Sequence, residues 1–216
     1  MHLSIVSDFD GTIAQADTNR VILERFADPA WLDLEDAWLK GELGSRRCIQ
    51  EQFALVRASS QDITRALDDI AIDPHFADFC RFCRLHSIPI VIASDGMDLS
   101  INHILSGIPE CTVPVYCNQL LFEDGRVSVR FPHANPDCRS SSGACKCGIV
   151  RNHLPKESLK LLVGDGRSDF CVAHSVDLVI AKDALLEYCK REGLPHVEYR
   201  SFADVLEVVQ NLLRGS

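Results

Sequence analysis

Three short apolar runs in this chain each stop at an aspartate-glycine turn, and that recurrence limits the folds open to it more than any other feature. Leu3 to Ser7 runs into Asp8-Phe9-Asp10-Gly11-Thr12, Ile88 to Ala93 into Ser94-Asp95-Gly96, and Leu159 to Val163 into Gly164-Asp165-Gly166. Short aliphatic runs closed by turn formers read as buried strands. Asp177 to Ala181 and His196 to Tyr199 read as two more, separated by a helical pattern over Ala184 to Glu192. Strands alternating with helices join through right-handed crossovers into a parallel sheet, whose ligands bind beyond the carboxyl ends of the strands. All three Asp-Gly turns fall at such ends.

The expected fold class is therefore α/β, a Rossmann-like doubly wound parallel sheet. Between the first two runs, from about Asp17 to Phe82, apolar residues recur at helical spacing, as in Val21, Ile22, Phe26 and then Ile49, Phe53, Val56. A stretch of this length exceeds any ordinary connection. It reads as a small helical cap over residues 15–82, inserted into a core domain made of residues 1–14 and 83–216. The alternating residues of Val113 to Val129 around Glu123-Asp124-Gly125-Arg126 predict a β-hairpin, placed as a flap beside the site.

Composition narrows the function. The 216 residues, 46% of them hydrophobic and 25% charged, suffice for one sizeable core and an inserted subdomain. A formal net charge of -9 repels a polyanionic backbone, so nucleic acid is not the expected partner. A small anion can still bind where a local cation and backbone N–H groups converge. The sequence carries no apolar stretch long enough to span a bilayer and no secretory pattern, so no membrane partner and a cytoplasmic location are expected. The ten cysteines are then read as reduced, mostly buried thiols. A monomer or a homodimer fits equally.

The strand tips carry the chemistry. Asp8 and Asp10 share one side of an extended segment, so one can attack while the other moves protons. A carboxylate attacking phosphorus needs the developing oxyanion charge neutralised. Asp165 and Asp169 can hold a hard divalent ion, Ser94 offers a hydroxyl, Gly96 permits close backbone approach, and Lys146 adds positive charge. Most Asp-Gly pairs are merely turns; the ordered set is what distinguishes this chain.

That set, Asp8-Phe9-Asp10-Gly11-Thr12, then Ser94, then Lys146, then Gly164-Asp165-Gly166-Arg167-Ser168-Asp169, resembles the motifs of the haloacid dehalogenase superfamily. The resemblance implies a phosphatase acting on a small phosphorylated metabolite, with Asp8 as nucleophile and Asp10 as general acid and base. It implies Mg2+ held by Asp8, the Asp10 carbonyl and Asp165, with Asp169 as ligand or supporting partner. Thr12, Ser94, Asp95, Gly96 and Lys146 would surround the phosphate.

The position of the cap resembles the phosphoserine-phosphatase-like branch. Within that branch, Trp31-Leu32, Gly41 to Arg47, Phe53-Ala54-Leu55, Pro132-His133 and Cys138 to Lys146 resemble the phosphatases of methionine salvage. Asp17 stands where phosphoserine phosphatases carry a glutamate. That departure speaks against phosphoserine, and phosphocholine or phosphoethanolamine remain alternatives.

Other readings belong to single features. Arg46 and Arg47 follow a glycine turn and could reach a substrate anion from the cap, or simply be solvated. Trp31 and Trp38 fit a cap core better than a stacking platform. His133, Cys138, Cys145 and Cys147 could bind zinc, but their spacing favours packed thiols. Lys146 could lower the pKa of the flanking thiols Cys145 and Cys147. Cys80 and Cys83 read as core packing. Rival functions are a phosphotransferase or phosphomutase on the same scaffold and, from a different class, a phosphoacceptor signalling module, which needs neither the cap nor Asp10.

Overall fold

The computed structural model describes residues 2–109, 111–123 and 125–215. In chain order its elements are β1 (Leu3–Ser7), α1 (Thr18–Phe26), α2 (Trp31–Leu39), α3 (Ser45–Ala54), α4 (Ser60–Leu67), α5 (Phe76–Leu85), β2 (Ile90–Met97) and α6 (Asp98–Leu105). There follow β3 (Val115–Glu123), β4 (Arg126–Arg130), α7 (Lys146–His153), β5 (Leu159–Gly164), a 3-10 turn (Arg167–Asp169), α8 (Phe170–Ala173), β6 (Leu178–Ala181), α9 (Asp183–Glu192), β7 (His196–Glu198) and α10 (Phe202–Arg214). The seven strands form one sheet in the order β4-β3-β2-β1-β5-β6-β7, parallel throughout except for β4, which runs antiparallel to β3.

Both faces of the sheet are covered, which is why its central strands read as unbroken apolar runs rather than alternating ones. Ile5 and Val6 are each fully buried, on opposite faces. One face packs against α5, α6 and α10, where the Phe76 and Phe202 rings meet edge to face at 4.8 Å. The other packs Val6, Val91 and Leu162 against Ile149 and Val150 of α7 and Leu185 of α9. Strand order reverses about β1, so the tips of β1, β2 and β5 lie side by side at the switch point.

Helices α1 to α4 build a separate apolar cluster around Ile22, Phe53 and Ile63, and Met97, Leu120 and Val127 extend it from the sheet. The inserted segment therefore has its own core. Helix α5, counted with the cap in sequence, packs instead on the sheet through Phe76 and Phe79.

The expected hairpin is β3 and β4. It joins the sheet through the pairing of β3 with β2 and forms its edge, while Leu120 and Val127 buttress the cap. The register from Gln119↔Arg130 to Glu123↔Arg126 brackets the expected turn, of which Asp124 lies outside the described residues.

Not every cysteine is a thiol. Cys80 of α5 and Cys111, with Cα atoms 5.5 Å apart, form a disulfide. Their 31-residue separation gave no pairing signal. Cys83 is a buried free thiol in the main core, pushed up to about 12 by burial.

Candidate active site

The tip of β1 is continued by Asp8, whose amide donates to the Val163 carbonyl of β5 at 2.9 Å. This bond holds Asp8 on the sheet while its side chain turns toward the cap. One carboxylate oxygen accepts the Phe9 amide at 2.7 Å. The other meets the Lys146 ammonium at 2.6 Å and accepts the Ser168 hydroxyl at 3.1 Å. Lys146 opens α7, also lies 2.6 Å from Asp169 Oδ1, and donates to Ser168 Oγ at 3.0 Å.

Asp8, Lys146 and Asp169 are all buried, so these contacts are charge-assisted and little screened by solvent. Burial alone would lower the Lys146 pKa, but the Asp169 and Asp8 carboxylates outweigh it and hold the ammonium charged.

Two glycines allow the tips to approach this closely. Gly11 has φ +69°, and a Cβ there would run into the Asp165 carboxylate. A Cβ on Gly96 would lie 2.6 Å from Asp10 Oδ2 and 3.1 Å from Ser94 Oγ. The Gly96 amide donates to Ser94 Oγ at 2.9 Å, fixing that hydroxyl at the tip of β2.

Four aspartates crowd here around the single charge of Lys146. Asp8, Asp165 and Asp169 each present an oxygen within 4.8 Å of the others. Burial, then the charge of Asp17, pushes Asp10 up to about 8. Burial, then Asp8, raises Asp165 to about 6. Burial raises Asp169 to about 8 even though Lys146 pulls it down. An excess of converging, hard, partly protonated oxygens is the donor set that a divalent cation of the magnesium type takes, and the residues fit one.

Some expected site residues have other partners. The Thr12 hydroxyl donates to Asp165 Oδ1 at 2.6 Å, so it orients an acid. Asp95 lines the cavity, but its carboxylate accepts the Ala144 amide at 2.7 Å and the Ser45 hydroxyl at 2.9 Å. Asp17 caps α1 by accepting the Arg20 amide at 3.0 Å, and also borders the cavity. Asp10 Oδ1 accepts the Thr18 amide at 2.8 Å, which fastens the start of the cap to the tip of β1. Arg46 and Arg47 are both exposed and are not among the residues that line the cavity, and Arg47 pairs with Glu51 at 2.6 Å, an arrangement that matches the solvated alternative.

The cavity over Asp8 encloses about 250 Å³. Its floor holds Asp8, Asp10, Ser94 and Asp165, and its roof is the cap. Leu23, Trp31, Trp38, Cys48 and Ile49 make an apolar wall, and Asn19, Arg20, Glu35 and Gln52 add polar groups. Trp31 serves both cap core and wall. Trp38 faces the cavity and carries the Arg167 guanidinium 5.7 Å above its ring, while Arg167 Nη1 donates to the Leu39 carbonyl at 3.1 Å.

Sequence reasoning had not singled out Arg20 or Ser168. For Ser168 a signal existed, since it sits inside the Gly164-to-Asp169 motif. Arg20 borders the cavity while its guanidinium pairs with Glu24 at 2.7 Å, a placement that no sequence signal marks.

The thiols follow burial rather than the lysine. Cys147 is pushed up to about 12 by burial and then by Cys171, whose sulfur is 3.4 Å away, and burial raises Cys145 as well. Burial, the ordinary reading for such cysteines, governs both thiols that flank Lys146, whose charge is engaged by Asp8 and Asp169. Burial also raises Cys138, but hydrogen bonds from Ser140 and Ser142 outweigh it and bring the thiol down to about 7. Among the described residues, the one grouping of three or more potential metal ligands is the Asp8, Asp165 and Asp169 triad. No helix among them is long and apolar enough to cross a membrane.

Comparison with known proteins defines the class. The family model for haloacid dehalogenase-like hydrolases matches residues 5–174, and the chain belongs to that family, as a phosphatase. It is 31% identical over 96% of its length to the 2-hydroxy-3-keto-5-methylthiopentenyl-1-phosphate phosphatase of Bacillus velezensis, covering 90% of that protein. It is 32% identical over 97% of its length to the phosphatase of the same name from Brevibacillus brevis, covering 96% of it. A solved structure of phosphoserine phosphatase, described as a phospho-aspartyl intermediate analogue, superposes with a TM-score of 0.72 at 19% identity, covering 96% of this chain and 98% of the other. At that identity the likeness concerns the fold.

Proposed function

We propose that this enzyme hydrolyses 2-hydroxy-3-keto-5-methylthiopentenyl-1-phosphate, or a phosphomonoester closely like it, through a phosphoryl group carried briefly on Asp8. The observation that carries the mechanism is the convergence of the Asp8 carboxylate with Lys146, Ser168 and the Asp165–Asp169 pair at the floor of a capped cavity. The substrate reading is supported by the full-length relatives and by the apolar wall, since Trp31 and Trp38 suit a methylthio tail through sulfur–aromatic contact.

In the first step Asp8 attacks phosphorus and the ester P–O bond breaks, while Asp10, neutral at pH 7 with its carboxyl raised to about 8, gives its proton to the departing oxygen. In the second step water attacks the phosphoryl group and passes a proton to the Asp10 carboxylate. The bond to Asp8 then breaks and inorganic phosphate leaves.

Ser94 and Lys146 bind phosphoryl oxygens, and Lys146 also pairs with the attacking Asp8 carboxylate. Asp8, the Asp10 carbonyl and Asp165 would hold Mg2+, with Asp169 supporting them, and the bound ion would offset negative charge on the transferred group. Cap closure excludes bulk water.

The test is phosphate release from the methylthio enol phosphate, phosphoserine and phosphoethanolamine by wild type and Asp8→Asn. Preference for the enol phosphate and loss of turnover to background in a folded Asp8→Asn protein are expected. Near-normal turnover in Asp8→Asn would falsify the mechanism, whereas a preference for phosphoserine would overturn only the substrate.

A further inference from the structure

Asp95 joins more separate pieces of the site than its neighbours do. Its Oδ1 accepts the amide of Ala144, two residues before Lys146, at 2.7 Å, and its Oδ2 accepts the hydroxyl of Ser45, the first residue of cap helix α3, at 2.9 Å. Its backbone carbonyl accepts Nδ2 of Asn118 on β3 at 2.7 Å and Nδ2 of Asn19 on cap helix α1 at 3.2 Å. One residue thus touches two cap helices, the sheet edge and the approach to the lysine helix.

The start of α3 also rests directly on the same approach loop. The Arg46 amide donates to the Ser141 carbonyl at 2.8 Å, and a Cβ on Gly44 would come within 2.9 Å of Ser141 Cβ. With both its oxygens occupied by donors, the Asp95 carboxylate has no reason to face a phosphate, which it would repel.

We infer that Asp95 is a positioning residue that sets the cap and the Lys146 helix in one register, so that closure over substrate and placement of Lys146 against Asp8 occur together. A carboxylate suits this part because bonds from an amide and a hydroxyl to a charged acceptor are about twice as strong as neutral ones. Shifting α3 displaces Ser45, and the strain passes through one rigid side chain to the Ala144 amide and the first turn of α7. The inference deepens the phosphatase reading and rests on it for its kinetic readout.

The experiment is a double-mutant cycle with Mg2+ present, using p-nitrophenyl phosphate and phosphoethanolamine, with unfolding temperatures recorded for each variant. Asp95→Asn keeps shape but loses charge, and should lower kcat about tenfold on both substrates. Ser45→Ala should raise KM about fivefold in wild type but less than twofold in Asp95→Asn, and Ser45→Thr, which keeps the hydroxyl, should restore wild-type KM.

Equal effects of Ser45→Ala in both backgrounds, or unchanged kcat in Asp95→Asn, would overturn the coupling. A rise in KM confined to phosphoethanolamine would also overturn it, by making Asp95 a direct contact for the ammonium. A second readout needs no turnover: amide hydrogen exchange at Ala144 should quicken in Ser45→Ala and not in Ser45→Thr. Without that difference the link is absent, whatever substrate the enzyme prefers. Wild-type hydrolysis of p-nitrophenyl phosphate separately checks the phosphatase reading.

Discussion

At the residue scale, position decides what each aspartate does. Asp8 lies 2.6 Å from the Lys146 ammonium, whereas Asp10 is raised to about 8 by burial and then by the charge of Asp17, and holds a proton at neutrality. Two like side chains two positions apart thereby have different surroundings, which suits them to the proposed parts of nucleophile and acid. Asp165 depends on Thr12, whose hydroxyl aims one oxygen and leaves the other for a cation. Asp165→Ala, which takes one carboxylate out of the Asp8, Asp165 and Asp169 triad, should shift the Mg2+ concentration for half-maximal activity upward by at least about tenfold. A magnesium titration of phosphate release checks this, and an unshifted curve would count against Asp165 as a ligand.

At the element scale, the cap is a second small core laid over the strand tips. Helices α1, α2 and α3 each turn one apolar edge inward, as Leu23, Trp31 and Ile49 do, and so build both cluster and cavity wall. Shortening the wall should therefore affect the substrate tail more than the phosphate. Ile49→Ala should lower kcat/KM for the methylthio enol phosphate about tenfold, or ~1.4 kcal/mol, while ethyl phosphate, which has no long tail, changes less than about twofold. Parallel loss on both substrates would mean that Ile49 supports the cap and does not read the tail.

At the scale of the whole molecule, the acid cluster costs stability that a bound cation would restore. Asp10 and Asp169 are raised to about 8 and Asp165 to about 6, so the metal-free folded protein binds these protons more tightly than the unfolded chain does. Their contribution is complete below the unfolded value of about 4 and is lost as pH climbs through 6 to 8. The unfolding temperature in chelator should accordingly fall between about pH 5 and 8.5, and Mg2+ should flatten that fall because the ion takes the place of the protons. Thermal scans with chelator and with Mg2+ measure it; superimposable pH profiles would show that the cluster does not bind the ion.

The sequence by itself determined the parallel sheet and the positions of its strand tips, and with them where the candidate site residues stand along the chain. Short apolar runs and glycine turns are local signals, and Asp8, Ser94 and Asp165 each lie at one, whereas Lys146 is picked out by its place in the ordered set. Only the tertiary structure decided which side chains those tips bring together. Thr12 turned to Asp165, Asp95 to Ala144 and Ser45, Arg46 and Arg47 to solvent, and Trp38 and Arg20 to the cavity. Partners such as Cys80 and Cys111, or Ser168 and Asp8, are far apart along the chain. Which of them meet depends on how the cap and sheet pack, and spacing along a sequence does not encode that choice.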